Sequence, residues 1–252
     1  MKIGLMQGRL SPPVGGHIQE FPHKHWRSEV DQIKQLGLHG VEWLVTKRSY
    51  PSNPILEDGT FLKYPIISVC LDVIIDSMID SAGFLEDVIS SCYNSGVRKF
   101  TIPLLEESDM RNDNRRKLFC DRIEELGNCF CDATFSFEAE LEADKLDDII
   151  CLRDNFKVTY DTGNITSFGI DHEEYINHFK HKINNVHLKD RTFDAKTVYP
   201  STGDTDFSKI FKLLKSIDYD GAYVIQTARA KTGLEAINII EHKRIFEELY
   251  YV

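Results

Sequence analysis

The chain has 252 residues, 42% of them apolar and 28% charged, with a formal net charge of −10. That length fits one α/β unit of about 250 residues with a full core, and no apolar run approaches the ~18 residues of a membrane span. The negative charge argues against a surface that tracks nucleic-acid backbone, and neither a nucleic acid nor a membrane is expected as a partner.

Met1-Lys2-Ile3-Gly4-Leu5-Met6 turns polar at Gln7, too early for a signal peptide, and reads as a first strand. Eight strands are predicted, over residues 2–6, 41–45, 66–71, 99–104, 133–138, 157–161, 185–188 and 222–226. Most are near-continuous apolar runs, as expected of parallel strands covered on both faces. Helical patterns alternate with them over 26–36, 84–94, 115–126, 171–180, 206–217 and 234–249. The first ends at Gly37, the second at Ser95-Gly96 and the third at Gly127, while Asp171 and Asp206 begin two others. Residues 49–63 carry Pro51, Pro54 and Gly59, so the second helix is expected to be short or missing. This alternation predicts an α/β fold, a (β/α)8 TIM barrel forming one domain over residues 1–252. Cys70, Cys92, Cys120, Cys129, Cys131 and Cys151 sit in or beside apolar segments without the pair spacing of a zinc knuckle. They read as reduced structural thiols, and the expected localisation is cytoplasmic.

Four strands run from apolar residues into polar ones: Phe137-Glu138-Ala139-Glu140, Tyr160-Asp161-Thr162-Gly163-Asn164, Val186-His187-Leu188-Lys189-Asp190 and Val224-Ile225-Gln226-Thr227. The first three supply Glu138, Asp161 and His187, a ligand set for one divalent ion such as Mn, Zn, Mg or Co. Ligands at the carboxyl ends of successive parallel strands are where a (β/α)8 barrel builds its active site. Singly, each has a plainer explanation: a salt-bridged strand end, a helix cap, a satisfied core histidine. The ordered trio favours the metal. Glu140 shares the face of Glu138 only if the strand continues, and a loop is expected there.

Lys189 lies two residues beyond His187, on the same side of the strand, where it can polarise a substrate oxygen. Asp190 reads as a loop anchor. Arg9, Lys189, Arg191 and Arg229 are candidates for binding a phosphate or sugar acid, with a solvated surface role as the equal alternative. Glu42 and Asp72 end strands at the same face and are candidates for sugar hydroxyls or for pairing with those bases. His17, His23 and His25 lie in or near the first loop and read as surface or lid residues. Trp26 and Trp43 read as core rather than as sugar-stacking platforms.

The chain resembles the xylose-isomerase-like sugar (phosphate) isomerase/epimerase superfamily, which also contains enzymes of the endonuclease IV type. The resemblance covers nearly the whole chain. It is carried by Met6-Gln7-Gly8-Arg9-Leu10-Ser11, Gly40-Val41-Glu42-Trp43, Phe137-Glu138, Asp161-Thr162-Gly163-Asn164, His187-Leu188-Lys189-Asp190 and Gly203-Asp204-Thr205-Asp206-Phe207. It implies a metal-dependent barrel in which Glu138, Asp161, His187 and the strand-eight residue Gln226 hold the ion. Gln226 stands where the family has a glutamate. An amide oxygen still coordinates a hard cation, but it carries no charge and takes no proton near pH 7.

The function expected is a metal-dependent sugar or sugar-phosphate isomerase/epimerase acting through an enediolate, with Glu138 as base and Lys189 assisting. A lyase or dehydratase on a hydroxy-keto acid shares that chemistry. An endonuclease IV-like phosphodiesterase would want more histidines and a basic groove, and a non-catalytic sugar-binding barrel stays open. The partner expected is a small sugar or sugar phosphate, and the assembly state is open, a homo-oligomer included.

Overall fold

A computed structural model describes residues 1–57, 63–72 and 84–252. Among these, eight parallel strands close into a barrel: β1 (Lys2–Met6), β2 (Gly40–Thr46), β3 (Ile66–Asp72), β4 (Lys99–Leu104), β5 (Thr134–Ala139), β6 (Phe156–Asp161), β7 (Ile183–Leu188) and β8 (Ala222–Ile225). Each pairs with its neighbours in sequence, and β1 closes the ring on β8 from Lys2↔Ala222 to Leu5↔Ile225. Around them lie α1 (Trp26–Gln35), α2 (Phe84–Asn94), α3 (Asp113–Cys129), α4 (Ala143–Ile150), α5 (Thr162–Phe168), α6 (His172–His178), α7 (Phe207–Ser216) and α8 (Glu235–Tyr251). The fold is the (β/α)8 barrel that the alternation predicts.

β5 shows how one strand serves two layers. Its period of two turns Phe135 and Phe137 outward, where Phe137 meets Phe119 of α3 at 5.9 Å and Phe156 of β6 at 5.3 Å. Ser136 and Glu138 then point inward. Helix starts follow from local chemistry: Asn112, Asp171 and Asp206 each accept a backbone N–H of the first turn. Trp26 and Trp43 are buried against one another at 5.4 Å, in the core.

Several boundaries differ from expectation. α3 runs through Gly127, because that glycine serves close packing: a Cβ there would lie 2.6 Å from the Phe156 ring. α4 and α5 were not anticipated: α4 buries Leu146, Ile149 and Ile150 at helical spacing but has no side-chain cap to mark its start, and α5 follows directly on β6, with Asp161 as its cap. Two single 3-10 turns, Tyr50–Ser52 and Pro54–Leu56, occupy the proline-rich stretch expected to lack a full helix, and its residues 58–62 lie outside those described. All six cysteines are free, but only Cys70 and Cys92 are buried; Cys129, Cys131 and Cys151 are exposed and pack no core. No helix among the described residues is long and apolar enough to cross a membrane.

Branched apolar side chains usually fill such a barrel. Here Met6, Leu44, Cys70 and Val224 do so on the β8–β1–β2–β3 side. The rest of the interior carries a polar network. Glu42 of β2 accepts hydrogen bonds from Ser68 Oγ of β3 (2.9 Å), Thr101 Oγ1 of β4 and Asn185 Nδ2 of β7 (3.1 Å). Side chains from four strands meet at one carboxylate only across the barrel interior.

Candidate metal centre

Asp161 ends β6 and caps α5. Its Oδ1 accepts the Asn164 N–H at 2.8 Å, which fixes the direction of the other oxygen. Oδ2 lies 2.7 Å from Lys189 Nζ and 3.9 Å from His187 Nδ1. Glu138 accepts Asn164 Nδ2 at Oε1 (2.8 Å) and brings Oε2 to 3.2 Å from His187 Nδ1. Glu138, Asp161 and His187 are all buried, with one ligand atom of each within 4.8 Å of the others. Small side-chain adjustments would bring these atoms to the ~2.0–2.2 Å at which carboxylate and imidazole bind a divalent ion.

His187 is oriented from below, its Nε2 2.7 Å from Glu42 Oε2. That contact turns Nδ1 toward the two carboxylates. Burial alone would lower the imidazole pKa, but Glu42 and Glu138 outweigh it and hold it at about 10. Against the same burial, His187 pulls Glu42 down, and His187 with Lys189 pulls Glu138 to about 2. Burial, reinforced by Glu138, raises Asp161 in spite of Lys189 and His187. The cluster thus holds positive charge strongly, and a divalent ion at Nδ1 would answer the same field by replacing a proton.

The strand-eight position faces the same interior. The N–H of Gln226 donates to Leu188 O (3.1 Å), carrying the β7–β8 ladder one residue further. Val224 is in register with His187, so Gln226 falls on the same inward side, level with Lys189. Its Oε1 and His187 Nδ1 are both buried without a hydrogen-bond partner among the described residues. Two carboxylates, an imidazole and an amide oxygen fit a divalent cation.

The other candidates separate by their partners. Lys189 is buried, paired with Asp161 and 3.4 Å from Asn164 Oδ1. Arg191 is turned away to Glu140 (3.2 Å) and Ser167 (3.4 Å). Arg9 and Arg229 both reach the first loop through Ile18 O, at 3.1 and 2.7 Å. Asp72 ends β3 and accepts from Gln19 Nε2 (3.3 Å); burial and the charges of Glu138 and Glu106 raise it to about 7. Glu42 lies in the barrel interior with both oxygens engaged, beneath His187. Asp190 is a loop anchor, accepting the N–H groups of Thr202, Gly203 and Thr205, and a side chain at Gly203 would collide with it. His17, His23 and His25 are exposed.

Asn164 and Gln19 were not singled out from the sequence. Asn164 lies three residues after Asp161, and that spacing places it over the site once α5 is known. Gln19 sits in an irregular loop and carries no such signal.

Glu42→Gln should weaken Mn²⁺ binding by ~10–100-fold, the usual effect of losing a carboxylate that orients a ligand histidine. Calorimetric titration measures it. The amide also turns donors toward Ser68 or Asn185, so thermal unfolding should fall as well; unchanged affinity would show that His187 needs no such support.

A model of the xylose isomerase-like TIM barrel matches residues 85–246. A search of curated proteins finds no match. Among solved structures, 3-keto-D-glucoside 4-epimerase from E. coli is similar with a TM-score of 0.70 and 17% identity, covering 98% of this chain and 99% of that one. L-ribulose 3-epimerase gives 0.74 and 14%, covering 99% and 94%. The IOLI protein with a bound zinc atom gives 0.72 and 14%, covering 99% and 98%. At such low identities these likenesses establish the fold. With the family model spanning well over half of its length, the chain belongs to the xylose isomerase-like TIM barrel family.

Proposed function

We propose that this protein is a divalent-metal-dependent isomerase or epimerase of a sugar or sugar phosphate, working through an enediolate. The observation that carries the reading is the buried convergence of Glu138, Asp161 and His187 at the ends of β5, β6 and β7. Similar folds named as sugar epimerases, and one holding zinc, support it.

When bound, the ion would acidify a carbon next to a carbonyl and steady the negative oxygens of the enediolate. The chain's own residues supply the rest. Glu138 is ionised at neutral pH and so stands in its base form. It is a weak base at that pKa, which matches a substrate carbon made acidic by coordination. Oε2 of Glu138 faces His187 Nδ1, where the ion would sit, and Asn164 steadies Oε1, the oxygen that would take the proton. Lys189 brings a positive charge to the same pocket, aimed by Asp161 and Asn164. Gln226 cannot take a proton, so the strand-eight side lacks a base. That favours isomerisation, or elimination on a hydroxy-keto acid, over epimerisation with a base on each face.

Incubation with metal and a panel of ketoses, aldoses and their phosphates in D₂O tests this. Deuterium should enter at the carbon next to the carbonyl of at least one compound. A protein that binds metal and exchanges no proton with any of them would be a binding barrel instead.

A further inference from the structure

Of the basic residues near the barrel mouth, Lys189 and Arg191 already face carboxylates, Asp161 and Glu140. Arg9 does not. It is 7% exposed, yet its Nη1 donates only to Ile18 O at 3.1 Å and its Nη2 reaches Gln19 Oε1 at 3.5 Å. Its Nε is buried without a hydrogen-bond partner among the described residues. Arg229 lies close by, donating to Gly8 O (2.7 Å), Ser11 O (3.3 Å) and Ile18 O (2.7 Å). The nearby carboxylate of Glu29 is committed to Gly8 N–H (2.9 Å), Leu10 N–H (3.1 Å) and Ser11 Oγ (2.6 Å).

Two guanidiniums are therefore brought together beside one fold, with carbonyl oxygens but no carboxylate bonded to either. Burial first and the charge of Arg229 second lower the Arg9 pKa to about 9, although the more distant charges of Glu29 and Asp72 oppose them. Burying an uncompensated charge is costly, and the cost is recovered when an anion arrives. Gln19 ties Arg9 to the metal centre. Its Oε1 is shared by Arg9 Nη2 and Gln226 Nε2 (3.2 Å), and its Nε2 reaches Asp72. An anion displacing the long Arg9–Gln19 contact would sit one side chain from the strand-eight ligand position.

We propose that Arg9, backed by Arg229, is the subsite for an anionic group of the substrate, a carboxylate or a phosphate ester. The proposal names the substrate class and rests on the metal-dependent reading only for the reacting end of the molecule. Gln226 points the same way. With an amide there, the strand-eight position, which Gln19 links to Arg9, brings no negative charge of its own to this side of the mouth. A neutral sugar brings none either.

The test is calorimetric titration of inorganic phosphate, gluconate and sorbitol into the Mg²⁺-loaded protein and its Arg9→Gln and Arg9→Lys variants. At least one anion should bind more tightly than sorbitol. Arg9→Gln should weaken that anion about tenfold or more, as loss of a charge-assisted fork does, leave sorbitol unchanged, and be partly rescued by Arg9→Lys. Preference for phosphate or for gluconate separates an ester from an acid. Anions that bind no better than sorbitol, or equally well to wild type and variants, would overturn the proposal. Thermal melts check folding, and Arg9→Lys, which keeps the charge, carries the test if the glutamine variant is unstable. Loss of the isotope-exchange result would sink the reaction while leaving this anion site standing.

Discussion

Asp161→Ala and His187→Ala are each expected to remove high-affinity Mn²⁺ binding, with losses beyond the ~10–100-fold that follow deletion of a supporting group. Each takes away one of three converging ligands, and neither gap has another carboxylate or imidazole in the described cluster to fill it. Both variants also disturb the fold. Asp161 caps α5, a contact worth about 1 kcal/mol, and His187 is the partner of the buried Glu42 carboxylate. Asp161→Asn separates the effects, because asparagine caps helices as well as aspartate does but brings no charge to the ion. It keeps the cap but leaves the buried Lys189 without its carboxylate partner, so each protein's own metal-free melt serves as its baseline, and it should still bind Mn²⁺ poorly. Wild type should gain about 2.7 kcal/mol of stability at a hundredfold excess of Mn²⁺ over its dissociation constant, and Asp161→Asn should gain much less at the same concentration. Equal stabilisation of both would place the ion elsewhere.

What the sequence made legible was whatever repeats. Strands buried on both faces announce themselves as apolar runs, so all eight were placed within a few residues, and their polar ends pointed to Glu138, Asp161 and His187. Short helices that lean on a cap rather than a period, such as α5, stayed hidden, and with α5 went the role of Asn164. Gly127 misled for a related reason: a glycine reads the same whether it ends a helix or lets one approach a phenylalanine. Glu42 read as a strand end facing sugar hydroxyls or a base because it is polar on an apolar strand. Only the register of four strands shows it directed across the interior at His187. The contacts of Gln19 and Arg9 depend on how an irregular loop folds over the mouth, and loop geometry has no period to read. The two alternatives for Asp161, cap or ligand, prove compatible, since a carboxylate has two oxygens and the helix uses one.

Glu138→Gln is expected to reduce proton exchange by ~10²–10⁴-fold, the usual contribution of a positioned base, while Gln226→Glu moves the chemistry in the other direction. The first change keeps the shape and the Asn164 contact geometry but leaves an amide that accepts no proton. It also removes a ligand charge, so exchange must be compared at saturating Mn²⁺ to isolate the proton step. The second places a carboxylate where Oε1 of Gln226 is buried and unpartnered. One more negative charge near the ion should tighten Mn²⁺ binding and make the ion less Lewis acidic. It also supplies a base across the pocket from Glu138. Two-base epimerisation, which a wild type with Glu138 as its one base is expected to lack, should then appear at a low level, with Gln19 already in contact with the new group's position. The double variant Glu138→Gln/Gln226→Glu isolates that second base. Exchange by the double variant with retained metal binding would show that the strand-eight side can remove a proton unaided. Wild-type epimerisation that survives Glu138→Gln would instead place the base on another residue, with Asp72 the first to examine, since its raised pKa leaves it partly protonated near neutrality.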